Sequence, residues 1–348
     1  MQHSIEADGL AKTFTGKHEV RALDDVSFTV AEGTVFGLLG PNGSGKTTAV
    51  RILTTIIMPD AGTARVLGHD VVKHAGLVRS LIGLAGQYAA VDENLTGREN
   101  LVMVGRLNHL ERSVVTGRAT DLLDQFNLAD AGDRPLKTYS GGMRRRLDLA
   151  AALVARPTVL FLDEPTTGLD PQSRNDLWEV IESLVDVGTT VLLTTQYLEE
   201  ADRLASTLAV LDHGRVIAEG TPASMKADLG ATVLEVGLAN LEDARRTGAV
   251  LDSLGPHAAL VNGTVAEVTV DNGPQAAMLG LRALDAQGVV PTTFRLREPS
   301  LDDVFLSLTG HRTEEEATEE SDDAEGGRSR RRMRSAERAM PVVTGELS

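Results

Sequence analysis

The fold of this chain is decided by a glycine-rich stretch, which reads Gly40-Pro41-Asn42-Gly43-Ser44-Gly45-Lys46-Thr47-Thr48. An apolar run precedes it at residues 34–39 and a helical pattern follows it, which is the strand, loop and helix context of a P-loop. The glycines let main-chain N–H groups face a phosphate, and the helix start adds partial positive charge. We expect all these residues to contact a nucleotide, with Lys46 on the terminal phosphates and Thr47 on Mg²⁺.

A second candidate site follows a buried strand later in the chain. The run Leu160-Phe161-Leu162 leads directly into two adjacent carboxylates, Asp163 and Glu164. Charges at the end of an apolar strand cost desolvation free energy unless a cation or hydrogen bonds compensate, so they indicate a metal site. Neighbouring side chains leave a strand in different directions. Asp163 is therefore expected to support the Mg²⁺ shell, and Glu164 to accept a proton from the attacking water. Taken alone, the segment is better explained as a strand that simply ends in solvated acids.

The pattern along the chain predicts an α/β fold. Up to about Pro222, short β-branched runs alternate with longer helical patterns, as expected for helices around a largely parallel sheet. Residues 95–155 show helical periodicity without a convincing strand, which predicts a helical insertion. We therefore expect a nucleotide-binding domain at 1–225, with a helical subdomain at about 90–155.

A smaller α+β domain is predicted at 230–310. The order of elements is strand, helix, strand, strand, helix, strand, which suggests a ferredoxin-like domain. Asn262-Gly263 is the preferred two-residue turn of a tight hairpin and joins the two central strands. A last helix is expected at 300–308, with Ser300 and Asp303 in a capping box. The outer elements are strands over 232–236 and 289–296 and helices over 241–254 and 274–286.

Residues 311–348 form an acidic block followed by a basic block. Few apolar residues interrupt them, so this segment cannot bury enough surface to offset the conformational entropy of ordering it. We expect a disordered charged tail.

Composition narrows the possible functions. The formal net charge of −16 opposes nucleic-acid binding, because phosphate backbones repel such a surface. The sequence contains no cysteine, which rules out disulfides and cysteine-ligated metals and fits a cytoplasmic protein. No apolar run approaches the roughly 18 to 20 residues of a membrane-spanning helix, and the polar start lacks a secretory apolar region. Membrane association is therefore expected only through a partner, at the cytoplasmic face of the cell membrane.

A third motif identifies a family. It lies just upstream of the paired acids and reads Tyr139-Ser140-Gly141-Gly142-Met143-Arg144-Arg145-Arg146. This run resembles the signature motif of ABC ATPases, although Ser-Gly-Gly alone is a common turn. The resemblance implies that Ser140, Gly141 and Gly142 start a helix whose positive end meets the γ-phosphate of ATP held by the opposite subunit.

Other segments match this family in the same order along the chain. Gln87 resembles the Q-loop glutamine, which implies contact with Mg²⁺ and a link to the membrane partner. Residues 167–170 resemble the D-loop, which implies that Asp170 lies at the dimer seam. Phe14 stands where the family has the aromatic residue that stacks on adenine, although a lone phenylalanine is equally a core residue. The resemblance covers roughly residues 4–222.

Three residues depart from the family pattern. Gln196 stands where the family has its switch histidine. Glutamine can donate a hydrogen bond to the γ-phosphate but cannot titrate. We therefore expect hydrolysis to persist at a lower rate, and we expect Gln196 to contribute nothing to the pH dependence of that rate. Tyr139 and Met143 stand where the signature usually has leucine and glutamine.

These departures, with residues 95–101 and 298–306, resemble the daunorubicin-resistance branch of ABC exporters. In that branch the ATPase is a separate chain beside a small integral membrane permease. The resemblance implies efflux of a drug, an antibiotic or another amphipathic natural product, with lipid or polyketide-type metabolites as the alternative cargo. The closing segment resembles a region associated there with subunit assembly, and its pattern alone is equally that of an amphipathic helix covering the small domain.

One P-loop and one signature motif occur in the chain, whereas the family needs both at each ATP. A two-fold dimer supplies them, because each subunit then completes the site of the other. The expected partners are a second copy and an integral membrane permease, and the expected cofactors are ATP and Mg²⁺. Two alternatives stay open: an ABC ATPase acting in translation or DNA repair, and a regulatory module whose domain after Gly230 senses a ligand.

Overall fold

The computed structural model describes residues 3–16, 19–86, 91–230 and 232–309. Gln87 and the predicted tail at 311–348 lie outside the described residues. Within the described ranges, no helix is both long enough and apolar enough to cross a membrane. We refer to residues 3–230 as the P-loop part and to residues 232–309 as the accessory part.

A six-stranded sheet lies at the centre of the P-loop part. All of its neighbouring strands are parallel except the first pair, which is antiparallel. The three middle strands are buried along their whole length, which explains their nearly continuous apolar sequence. The predicted α/β fold is confirmed. In spatial order the strands are β10 (Arg215–Gly220), β9 (Thr207–Asp212), β3 (Val35–Leu39), β8 (Thr190–Thr195), β7 (Val159–Asp163) and β6 (Ile82–Ala85).

A second, antiparallel sheet covers one face of this central sheet. No sequence pattern predicted this sheet. Its inward side chains join the core beneath the central sheet, where the rings of Phe28 and Phe36 stack at 5.1 Å. In spatial order its strands are β2 (Glu19–Ala31), β1 (His3–Thr15), β4 (Ala61–Val66) and β5 (His69–Asp70).

The predicted helical insertion lies between β6 and β7. Its helices are α3 (Gly97–Leu107), α4 (Arg112–Gln125) and α5 (Gly141–Ala152). Leu101, Leu123 and Leu147 of these helices pack in one cluster with Leu160 and Leu162 of β7, so the insertion continues the core of the central sheet. The other helices of the P-loop part are α1 (Lys46–Leu53), α2 (Ala75–Leu81), α6 (Pro171–Asp186), α7 (Leu198–Leu204) and α8 (Pro222–Leu229).

The accessory part contains a four-stranded antiparallel sheet in the order β12-β13-β11-β14, with two helices on one face, which is a ferredoxin-like arrangement. Its elements are β11 (Thr232–Gly237), α9 (Leu241–Leu251), β12 (Leu260–Asn262), β13 (Val265–Val270), α10 (Gly273–Ala286) and β14 (Thr293–Arg297).

Two details of the accessory part differ from the prediction. Asn262 pairs with Val265, so the hairpin loop consists of Gly263 and Thr264 rather than Asn262 and Gly263. Gly263 takes a φ of 51°, and the Asn-Gly turn would require positive φ at both loop positions. The last strand begins at Thr293, four residues later than expected, because Val289 is buried in the domain core outside any strand and Pro291 has no N–H for a ladder.

The final helix, α11 (Leu301–Thr309), begins with the predicted capping box. The Ser300 N–H donates to Asp303 Oδ2 at 2.7 Å, and the Asp303 N–H donates to Ser300 Oγ at 3.3 Å. No residue of its apolar face belongs to the core of the accessory part, so the interpretation of that face as a cover for the small domain is wrong. Its apolar face joins a cluster with α7, α8 and the ends of β3 and β9. The domain limits 1–225, 230–310 and 311–348 stay a prediction.

Candidate active site

The P-loop lies between β3 and α1, as the sequence predicts. Two of its glycines stand where no side chain fits. A Cβ on Gly40 would lie 2.2 Å from the carbonyl oxygen of Leu211, and one on Gly45 would lie 2.4 Å from that of Ala22. Gly45 also has a φ of 114° and begins α1 without a side-chain cap. The first N–H groups of α1 are therefore presented to an anion without a competing side chain.

Lys46 and Glu164 meet at this loop. Lys46 Nζ donates to the carbonyl oxygens of Gly40 at 2.7 Å and Pro41 at 3.0 Å, and it lies 3.6 Å from Glu164 Oε1. Both side chains are buried. The predicted phosphate-binding lysine and the predicted base therefore share one electrostatic environment.

Asp163 ends β7 on the other side of the loop. Its Oδ1 accepts hydrogen bonds from Thr47 Oγ1 at 3.2 Å and from Thr194 Oγ1 at 2.6 Å. The structure thus brings together a hydroxyl and a carboxylate from two segments that are far apart in sequence. Oxygen donors of this kind suit Mg²⁺, which proteins commonly hold through one or two carboxylates together with substrate phosphates. Thr47 and Asp163 therefore fit the predicted magnesium ion.

Glu164 holds an unusual backbone conformation. Its φ is 50°, in the left-handed region that non-glycine residues rarely adopt. Its N–H donates to the main-chain oxygen and to Oγ1 of Thr194, both at 3.1 Å. Such strain persists where surrounding contacts hold it in place, and it is concentrated at functional sites.

A cavity of about 340 Å³ opens above the P-loop. Phe14 forms part of its wall and is 41% exposed, so it is not a core residue. A ring at that position can stack on a base while the phosphates lie on the loop. The remaining lining residues are Val20, Ala22, Asn42, Gly43, Gly45, Lys46, Thr47, Thr48 and Glu164.

Two other predicted residues begin helices. Ser140 caps α5 by accepting a hydrogen bond from the Met143 N–H at 3.2 Å. Asp170 caps α6 by accepting from the N–H of Ser173 at 3.0 Å and from its hydroxyl at 2.7 Å. These hydrogen bonds hold the pKa of Asp170 below its usual value. Ser140, Gly141, Gly142 and Asp170 are not among the residues that line the P-loop cavity.

The remaining predictions are not brought into the cavity. Gln196 follows β8 and is half-buried, and it is not among the residues that line the cavity. Gln87 lies outside the described residues. The roles assigned to Gln196, Gln87, Ser140, Gly142 and Asp170 stay predictions.

Tyr139, the first departure in the signature motif, has a structural role. It is buried, and its hydroxyl donates to the carbonyl oxygen of Ala131 at 2.7 Å. A Cβ on Gly97 would lie 2.3 Å from that hydroxyl oxygen. The larger tyrosine is therefore accommodated by a glycine at the start of α3.

Sequence reasoning missed Thr194 and Arg145, which both contact the turn at Glu164. Thr194 could have been suspected, because parallel strands end at one edge of a sheet and β8 neighbours β7. Nothing in the sequence distinguishes Arg145 from the two arginines that flank it.

Known proteins resemble this chain over most of its length. The family model described as ABC transporter matches residues 23–167. The daunorubicin/doxorubicin resistance ATP-binding protein of Streptomyces peucetius is 50% identical over 323 residues, which cover 92% of this chain and 97% of that protein. Nod factor export ATP-binding protein I of Sinorhizobium fredii (strain NBRC 101917 / NGR234) is 41% identical over 313 residues, with 88% and 86% covered. A solved ATP binding subunit of an ABC transporter matches with a TM-score of 0.58 and 26% identity, over 64% of this chain and 92% of that one.

Proposed function

The chain belongs to the ATP-binding proteins of ABC transporters, and on that premise we propose that it drives efflux of a drug, an antibiotic or another amphipathic natural product through a separate permease. The observation that carries the proposal is the convergence of Lys46, Glu164, Thr47 and Asp163 on one loop. The relatives named for daunorubicin/doxorubicin resistance and for Nod factor export support efflux as the direction of transport.

Binding of ATP is explained by the P-loop cavity. The N–H groups at the start of α1 and the ammonium of Lys46 are positioned to bind phosphates, and Phe14 offers a face for the base. Mg²⁺, when bound by Thr47 and Asp163, would neutralise the charge that develops on the phosphates. Gln87 would be a further ligand.

Hydrolysis requires a base and a positioned water. Glu164 lies 3.6 Å from Lys46, so its carboxylate faces the loop that holds the terminal phosphates. We assign it the role of accepting the proton of the attacking water. Gln196 would donate a hydrogen bond to the γ-phosphate in the role of the family's switch histidine, without titrating.

The signature segment acts on a second copy of the chain. Ser140 and the glycines after it start α5, whose N-terminus offers partial positive charge. Because these residues do not line the cavity of their own chain, a head-to-tail dimer would give them a nucleotide to contact, with Asp170 at the seam. ATP would then close the dimer and hydrolysis would open it, which drives the permease between its two states.

Transport into inverted membrane vesicles tests this function. We expect vesicles that contain the chain and its permease subunit to accumulate doxorubicin on addition of ATP and Mg²⁺. Vesicles made with the Lys46→Ala chain should contain the same amount of both proteins but should accumulate no doxorubicin. The chain should also sediment with the membrane only when the permease is present, as expected for a peripheral subunit at the cytoplasmic face.

Two results would contradict the proposal. A chain that stays in the supernatant with its permease present would favour an ATPase of translation or DNA repair. Uptake that is identical in wild-type and Lys46→Ala vesicles would show that ATP bound at this P-loop does not drive efflux.

A further inference from the structure

Arg145 lies at the meeting point of three segments of the P-loop part. It belongs to the first turns of α5, five residues after the Ser140 cap, and its side chain is only 14% exposed. Its guanidinium leaves its own helix and reaches main-chain oxygens on both sides of the catalytic turn. Neither flanking arginine contacts that turn: Arg144 pairs with Glu93, and Arg146 donates to Phe126.

Four carbonyl oxygens accept hydrogen bonds from this one side chain. Nε donates to Pro165 at 2.6 Å, and Nη2 donates to Glu164 at 2.9 Å and to Asp163 at 3.2 Å. Nη1 donates to Gly86, the residue that follows β6. Asp148, one turn further along α5, lies 3.6 Å from Nη1 and balances the charge.

These hydrogen bonds surround the strained residue. Glu164 has a φ of 50°, so its backbone needs contacts that hold it in the left-handed region. Three of the four accepting carbonyls belong to Glu164 itself and to the residues before and after it. Thr194 fixes the N–H of Glu164 from the opposite side. The direction of the Glu164 carboxylate therefore depends on the guanidinium of Arg145.

We infer that Arg145 is a positioning residue for hydrolysis, which ties the catalytic turn at Glu164 to the helix that starts at Ser140. The inference rests on the proposed role of Glu164 as the base. Through this contact α5, the helix of the signature motif, also affects its own chain, because a shift of α5 would change the direction of the Glu164 side chain. Lysine cannot replace arginine here, because a single ammonium lacks the planar fork that reaches four carbonyls in two directions.

The test compares Arg145→Gln and Arg145→Lys with a matched control, Arg118→Gln. Arg118 is also a partly buried arginine that donates to a main-chain carbonyl, that of Leu153, but it contacts none of the catalytic turn. For each full-length chain, kcat is measured at saturating ATP, and ATP affinity is measured by displacement of a fluorescent analogue. We expect kcat to fall roughly tenfold to a hundredfold in both Arg145 variants, the range for a misplaced catalytic group. Affinity should stay within about twofold and Arg118→Gln should keep the wild-type kcat, because only the Glu164 turn is displaced.

A double variant separates positioning from a general loss of structure. In a Glu164→Gln chain, Arg145→Gln should lower kcat no further, because the group that it positions is already gone. An equal additional loss in that background would overturn the inference. So would wild-type kcat in Arg145→Lys, since charge alone would then suffice. If Arg145→Gln fails to bind ATP, the kcat of Arg145→Lys alone decides whether Arg145 positions Glu164.

The two proposals fail in different ways. Wild-type turnover in both Arg145 variants, with a large loss in Glu164→Gln, would overturn only the positioning role. Wild-type turnover in Glu164→Gln would overturn the assigned base, and with it the positioning role.

Discussion

Individual side chains decide the chemistry of the site, and Glu164 is the central one. Its carboxylate lies beside Lys46, whereas the neighbouring Asp163 turns to the hydroxyls of Thr47 and Thr194. Two consecutive acids thus occupy different environments, because the strand ends between them and the backbone of Glu164 reverses its φ. That difference allows one acid to serve as a base and the other to hold a metal.

Glu164→Gln should keep ATP binding and lower kcat by about 10²- to 10⁴-fold, the range for loss of a positioned base. Glutamine keeps the size and the polar contacts of the side chain but cannot accept the proton. Phosphate release at saturating ATP measures kcat, and equilibrium binding measures affinity. Lys46→Ala provides the contrast, because it should lose affinity. Wild-type turnover in Glu164→Gln would mean that another group is the base.

Glu200 titrates in a buried site. Burial raises the pKa of its carboxyl above the usual 4.5, and its hydrogen bond from Trp178 Nε1 at 3.1 Å only partly opposes this. Because the folded-state pKa is raised, the stabilising effect of the protonated form is complete below the unfolded pKa. It is lost as the pH rises through the raised folded-state value.

The free energy of unfolding of the wild-type chain should therefore fall relative to that of Glu200→Gln as the pH rises above the usual carboxyl value of 4.5. Urea titrations followed by circular dichroism at several pH values measure the difference. Glutamine can still accept the Trp178 hydrogen bond, so this contact is the same in both chains. Stability curves that run parallel across this range would show that Glu200 does not titrate differently in the folded chain.

At the scale of elements, α11 is the unexpected feature. The chain leaves the accessory sheet at β14 and then packs against α7 and α8 of the P-loop part. Arg297 of β14 holds the turn by donating to both oxygens of Asp303, at 2.5 and 2.8 Å. Although burial of Asp303 opposes it, the hydrogen bond from Arg297 lowers the pKa of that carboxyl. The accessory part is thereby joined to the helix that follows Gln196.

Phe305→Ala should destabilise the P-loop part by about 3 to 5 kcal/mol, the cost of removing a buried phenylalanine side chain. Phe305 is 2% exposed among residues of α7, α8 and β9. The fluorescence of Trp178, the single tryptophan of the chain, reports unfolding of this part. Leu308→Ala on the same helix is the control, because Leu308 is 42% exposed. An unchanged tryptophan transition in Phe305→Ala would show that α11 does not stabilise the P-loop part.

At the scale of the whole molecule, each chain carries one P-loop and one signature segment, on different surfaces. Gly141 is suited to test whether the second surface serves another chain. A side chain there would meet nothing within 4 Å in its own chain. A side chain at this position therefore has room in its own chain, and a charged one would meet a neighbour that approaches the N-terminus of α5.

Lys46→Ala and Gly141→Asp chains should each lose ATPase activity alone and recover roughly a quarter of it when mixed in equal amounts. In a mixed head-to-tail dimer, one site receives both defects and the other receives none. Half of the dimers are mixed, and each of these has one intact site. ATPase assays after co-expression measure the recovery. No recovery, with mixed dimers present by affinity pull-down, would contradict the composite site.

The sequence by itself determined the P-loop, the paired acids and the α/β alternation, because each depends on local patterns: glycines where backbones meet, charges after an apolar strand, and helical or strand periodicity. It also predicted the helical insertion and the capping box at Ser300, whose hydrogen bonds join residues three apart. The roles of Gln196 and Ser140 came from resemblance to a family, and Gln87 lies outside the described residues.

Only the tertiary structure decided which distant segments meet. The antiparallel sheet pairs β1 with β4, which lie on either side of the P-loop in the sequence. Arg145 contacts carbonyl groups that any residue could offer, and the apolar face of α11 packs on the P-loop part. Main-chain acceptors carry no sequence signal, and an amphipathic helix shows that it has an apolar face without showing what covers it. These contacts depend on the path of the whole chain, so no local pattern could have predicted them.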